Sequence, residues 1–72
     1  MATSDQQTVK VVEVIGESTE SWDDAARNAV ADATETLDNV SGIEVVDQTA
    51  EVEGHEITQF RTTVHVAFPI QR

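Results

Sequence analysis

The period of the apolar positions changes along this chain, and each change marks an element. Residues 9–15 place Val9, Val11, Val12, Val14 and Ile15 in close succession, a β-branched density that predicts a strand with Gly16 as its stop. Residues 17–21 are turn formers. Ser21 reads as an N-cap, with Asp24 three positions on as a variant capping box, and Asp23 and Asp24 lie where the helix dipole favours acids. Trp22, Ala25, Ala26, Ala29, Val30, Ala33 and Leu37 then recur at helical spacing. That stripe is narrow and mostly alanine, so the helix can lie close against its neighbour. Asn39 or Gly42 is available for a left-handed ending.

Two longer strand patterns follow, residues 43–52 and 57–68, joined through Glu53, Gly54, His55 and Glu56 as a hairpin. The second alternates, with Phe60, Thr62, Val64, Val66 and Phe68 on a core face and Ile57, Gln59, Arg61, Thr63, His65 and Ala67 on the other. Pro69 has no N–H to donate and is expected to end the ladder. The first eight residues are polar and unpatterned and read as a frayed terminus, leaving residues 9–72 as one α+β domain of order β-α-β-β. A right-handed crossover through the helix gives an antiparallel sheet in spatial order 1-3-2. One helix covers one face of that sheet, so the half-apolar opposite face needs a partner, and subunit contacts supply it economically.

Size and charge sharpen this. The chain has 72 residues, fourteen acids against four Lys or Arg, and a formal net charge of −10. Lys10, Arg27, Arg61 and Arg72 are too few and scattered to neutralise phosphates, which excludes a nucleic-acid reading, and the same repulsion opposes anionic membranes. With no long apolar run and no signal-like start, the chain reads as cytoplasmic. It has no cysteine, hence no disulfide staple, and a lone core of this size rarely supplies more than ~3 to 5 kcal/mol. Self-association is the remaining source of stability. The acidic excess also fits adaptation to high salt, where counterions screen self-repulsion.

Candidate chemistry is sparse. Ser18, Ser21 and Ser41 are accounted for as turn or cap residues, neither histidine sits in a nucleophile context, and no catalytic constellation emerges, so the chain reads as non-enzymatic. Gly16, Gly42 and Gly54 are isolated at element ends and form no phosphate cradle. Glu51, Glu53 and Glu56, with His55, crowd the hairpin tip and are the candidate ligands for a hard cation such as Ca2+, most effectively where symmetry brings copies together. Arg61 and His65 point away from the core beside Gln59 and Thr63. Arg61 is expected to pair with an acid such as Glu44 or Asp47 in a subunit interface, with a small-molecule or anion pocket as the alternative.

Taken in order, the segments Val11-Val12-Glu13-Val14-Ile15-Gly16-Glu17-Ser18, Ser21-Trp22-Asp23-Asp24-Ala25, Arg27-Asn28-Ala29, Thr36-Leu37-Asp38-Asn39-Val40, Ile43-Glu44-Val45-Val46-Asp47-Gln48 and Val64-His65-Val66-Ala67-Phe68 resemble the dodecins. The resemblance spans about residues 9 to 68. It implies a β-α-β-β protomer in a hollow homododecamer that stores or sequesters flavins, such as riboflavin or FMN, by stacking them on a tryptophan. That tryptophan precedes the second strand, where this chain has Gly42. A glutamine that holds the flavin edge in the family falls at Arg61, with Gln59 beside it. Trp22 belongs to a separate helix-start motif and does not replace the stack. A lost aromatic stack removes ~1 kcal/mol or more per ring face, so the implied flavin site is degraded, with a modified flavin pocket around Arg61 as the alternative. The same two changes resemble the calcium dodecins, which implies Ca2+ as a further candidate ligand.

Overall fold

The computed structural model describes residues 8–70; the expected frayed terminus lies outside it except for Thr8, which pairs opposite Ile70. Four elements follow one another: β1 (Thr8–Ser18), α1 (Trp22–Thr36), β2 (Gly42–Glu53) and β3 (Glu56–Ile70). Both strand pairs are antiparallel and the sheet order is β1-β3-β2, as expected. No helix among the described residues is long and apolar enough to cross a membrane.

The start of α1 carries out the capping its sequence encodes. Asp24 N–H donates to Ser21 Oγ at 3.0 Å. The return half of the box is rerouted: Asp24 Oδ2 accepts from Ser18 Oγ at 2.8 Å, and Ser18 Oγ in turn accepts from the N–H groups of Glu20 and Ser21. A single buried serine at the end of β1 thus ties the turn to the helix. At the other end, Leu37 N–H bonds Ala33 O at 2.9 Å, and Asn39 rather than Gly42 takes the left-handed conformation, at φ 64°.

Gly16 does not stop β1, which continues to Ser18. A Cβ at Gly16 would sit 1.9 Å from Ala25 O and 2.9 Å from Ala29 Cβ. The glycine is therefore a seat for the helix, and its match is the row of buried alanines, Ala25, Ala29 and Ala33, along the facing side of α1. Small residues on both elements let the backbones approach to a distance that no larger pair permits.

Beneath the helix lie Val64, Val66 and Thr62, all fully buried. Thr62 is accommodated because its hydroxyl donates to Trp22 O at 2.8 Å, and among the described residues no buried side-chain polar atom lacks a partner. Phe60 and Phe68 share that face but are only half-buried. Phe60 meets Trp22 edge to face with ring centroids 4.8 Å apart. Trp22 also reaches β2, where its Nε1–H donates to Thr49 O at 2.8 Å.

Pro69 does not end β3. Pairing with β2 stops at Gly42 opposite Ala67, whereas pairing with β1 continues through Pro69 to Ile70. Pro69 thus stands where β3 has only one neighbour, the kind of position that tolerates a missing N–H. The hairpin turns on Gly54 and His55, with Gly54 at φ +64°, the glycine position of a tight two-residue turn.

The core draws residues from β1, α1, β3 and the α1–β2 connection, and none from β2. The Cα radius of gyration is 15.6 Å, against about 11 Å for a compact chain of this length. The protomer is elongated, with much of β2 lying beyond the helix.

Candidate functional site

The face of the sheet turned away from α1 carries most of the chemistry. The register aligns Glu13 and Glu17 of β1 with His65 and Arg61 of β3, and it aligns Glu44, Asp47 and Thr49 of β2 with His65, Thr63 and Arg61. β3 is the central strand, so each of its outward side chains is flanked from both sides.

Arg61 is held from both sides at once. Its Nε–H donates to Glu17 Oε2 at 2.7 Å, and Nη2 donates to Glu51 Oε2 at 2.5 Å. Gln59 Nε2 donates to the other oxygen of Glu17 at 3.2 Å. The hydrogen bond to Glu17, then that to Glu51, push the guanidinium further above its ordinary value, so it stays charged at any pH the fold survives. The expected partners Glu44 and Asp47 are replaced, for a reason that lies in the register. A bulge between Val45 and Asp47 leaves these two acids opposite His65 and Thr63, while Glu51 lies diagonal to Arg61. Glu17 was missed because β1 was expected to end at Gly16; extending the strand two residues puts Glu17 on the same face as Glu13 and directly opposite Arg61.

His65 repeats this arrangement in weaker form. Its Nε2 lies 3.1 Å from Glu13 Oε1 on β1, and Glu44 stands across from it on β2. Beside it Val11, Gly42, Ile43, Glu44 and Ala67 complete a shallow groove of about 280 Å³. Gly42 opens that groove. Its φ is not left-handed, and a Cβ there would meet nothing within 4 Å, so neither a turn nor packing within the protomer demands a glycine. The structure therefore brings Arg61 and Gln59 together through Glu17, and places Gly42 by the groove around His65 rather than in the Arg61 network.

The three acids singled out as cation ligands are not gathered. Glu51 is engaged by Arg61. Glu53 and Glu56 face each other across the last rung of the hairpin. Among the described residues no group of three or more His, Asp or Glu side chains is placed to hold a metal ion. Within one protomer the open face offers Arg61 held between Glu17 and Glu51, His65 beside Glu13, and a shallow groove next to that histidine.

Comparison with known proteins agrees with this architecture. A family model described as Dodecin matches residues 8–71. Calcium dodecin of Mycobacterium tuberculosis is 31% identical over 62 residues, covering 86% of this chain and 87% of the relative. Its crystal structure, whose name describes a calcium-chelating antigen with a novel calcium-binding site, superposes with a TM-score of 0.77 over 89% of this chain and 91% of that one, at 31% identity. Dodecin from Streptomyces davaonensis superposes with a TM-score of 0.85 at 30% identity, over 92% of this chain and 97% of that one. The family match over residues 8–71 and the 31% identity to a relative covered over 87% of its length show that this chain belongs to the dodecin family.

Proposed function

We propose that this chain is the protomer of a non-enzymatic homododecamer that holds or sequesters a small ligand, with the flavin-stacking site of its family dismantled. The observation that carries this reading is Gly42. At the position where the resemblance calls for a stacking tryptophan, the backbone has no need of glycine and the space above it is open. The second flavin contact has changed in kind as well. Arg61 spends two of its donors on Glu17 and Glu51, so a flavin edge has to displace carboxylates, and a flavin phosphate meets their charge. Retained riboflavin or FMN binding around Arg61 is the competing reading.

Fluorescence titration separates the two. Riboflavin added to the wild-type protein is expected to keep its emission at micromolar protein, whereas the double variant Gly42→Trp with Arg61→Gln is expected to quench it. Tight quenching by the wild type would overturn the dismantled-site reading. Light scattering tests the assembly, with a mass twelve times that of the chain as the expected result.

A cation-holding role is the second reading, favoured by the relationship to calcium dodecin. Since one protomer gathers no three ligands among its described residues, such a site has to draw carboxylates from several copies, with Glu53 and Glu56 as the acids left unpaired at the hairpin end. Calorimetry with Ca2+ on the assembled protein is expected to show saturable heat that is lost in the Glu53→Gln, Glu56→Gln variant. Heat no greater than the buffer control removes the idea. With −10 per chain, assembly is further expected to strengthen as salt rises.

A further inference from the structure

We infer that the groove beside His65 holds a small, flat organic cation, an inference that rests on the dismantled-flavin-site reading above and names the class of ligand that takes the flavin's place. Two neighbouring rungs of the open sheet face form it. Val11 and Gly42 flank Ala67, and two residues along, Glu13 and Glu44 flank His65. The first rung is a shelf of small and apolar residues laid across all three strands, and the second is a row with a carboxylate at each end. Residues of both line the groove of about 280 Å³.

Charge selects the occupant. On the same face, Glu17 and Glu51 share the permanent cation of Arg61. Glu13 and Glu44 share only an imidazole, a group without permanent charge. Glu13 Oε1 lies 3.1 Å from His65 Nε2, and Glu44 makes no ion pair among the described residues. No Lys or Arg lines the groove; Lys10 stands opposite Phe68 on the helix side of the sheet, and Arg27 lies on α1. A ligand bearing one positive charge stands to Glu13 and Glu44 as Arg61 stands to Glu17 and Glu51. A flavin phosphate meets two carboxylates instead.

Shape narrows the class. A Cβ at Gly42 would meet nothing within 4 Å, so a ring can lie flat on the shelf against Val11 and Ala67. A metal ion needs several oxygens converging on one point, and among the described residues no group of three or more His, Asp or Glu gathers to supply them. An organic cation needs apolar contact and nearby carboxylates, and both are here.

The probe is N-methylacridinium, with acridine-9-carboxylate as an equally flat anion, each titrated by fluorescence at protein concentrations where the chain assembles. The cation is expected to bind saturably and the anion not to bind. Glu13→Gln with Glu44→Gln is expected to weaken the cation about fivefold or more, the scale of losing exposed charge pairs. Gly42→Leu, which fills the shelf, is expected to weaken it by a similar factor. Asp32→Asn with Glu35→Gln removes the same charge from exposed positions of α1 and is expected to match the wild type. Circular dichroism and light scattering establish that each variant folds and assembles. A cation that fails to bind, an anion that binds as well, or an equal loss in the α1 variant overturns the inference, the last because the attraction then comes from the overall charge of −10. Binding confined to protein diluted below assembly also overturns it and assigns the groove to a second copy. Riboflavin titrated in parallel separates the two readings. If its emission is kept and the cation fails to bind, this inference falls alone, whereas tight riboflavin quenching overturns the dismantled-site reading beneath it.

Discussion

The two halves of this sheet are built on opposite rules. Between β1 and β3 the helix sits so close that a single methyl group has no room at Gly16, and Thr62, Val64 and Val66 beneath it are fully buried. Along β2 the same helix makes little contact, no residue joins the core, and Ile43, Val45, Val46 and Val52 stay exposed. One half is a finished protein interior and the other is half of one. Stability within the protomer is therefore concentrated in the first.

The largest effect follows from Gly16. Gly16→Ala places a Cβ 1.9 Å from Ala25 O, a backbone atom that cannot swing aside. The helix has to shift as a unit, and the cost is expected at the upper end of overpacking, about 3 kcal/mol or more. Urea unfolding of the variant against the wild type measures it; a change below 1 kcal/mol would mean that the close approach of α1 to β1 is not a requirement of the fold. Next is the pair Val64→Ala and Val52→Ala. The first empties a fully buried site and is expected to cost about 2 kcal/mol. The second trims a side chain 63% exposed and is expected to cost within ~0.5 kcal/mol. Equal losses would erase the distinction between the halves.

The order of elements, the strand order and the core face of β3 were all legible in the sequence, because each follows from a periodicity and a handedness rule that no long-range detail overrides. What escaped was information carried by register. Whether β1 ended at Gly16 or ran two residues further decided whether Glu17 was a turn residue or the partner of Arg61, and a glycine reads as a stop when the helix that needs it is not yet in view. The bulge after Val45 moved Glu44 and Asp47 away from Arg61 and brought Glu51 within reach, and nothing in the local pattern of β2 announces it. Trp22 is a similar case. Its place in the apolar stripe was plain, but its bond to Thr49 O, the tie that reaches β2 from the helix, depends on where two distant elements come to rest.

The Arg61 network gives a smaller effect with a distinct signature. Arg61→Met leaves Glu17 and Glu51 facing one another across β3 without a cation between them. Destabilisation is expected at low salt and is expected to fade toward molar salt, because the pairs are exposed and screened. The value of Arg61 is raised, first by its hydrogen bond to Glu17 and then by that to Glu51, so the part of the contribution linked to its own proton is fully present below its unfolded value and lost only as pH rises through the folded one. A loss that persists unchanged in molar salt points instead to packing of the arginine stem.

The smallest change is expected at Gly42, and its sign is informative. The backbone there is ordinary strand and the space beside it is open, so Gly42→Ala removes freedom from the unfolded chain without a clash in the protomer. Such replacements stabilise by roughly 0.4 to 1 kcal/mol. Gly16→Ala and Gly42→Ala, the same chemical change in the two halves of one sheet, should therefore move the urea midpoint in opposite directions. Measured below the concentration at which the protein assembles, a gain at Gly42 confirms that nothing within the chain needs this glycine. A gain there that turns into a loss in the assembled protein places the requirement outside the protomer, in whatever comes to rest against the groove formed by Val11, Gly42 and Ala67.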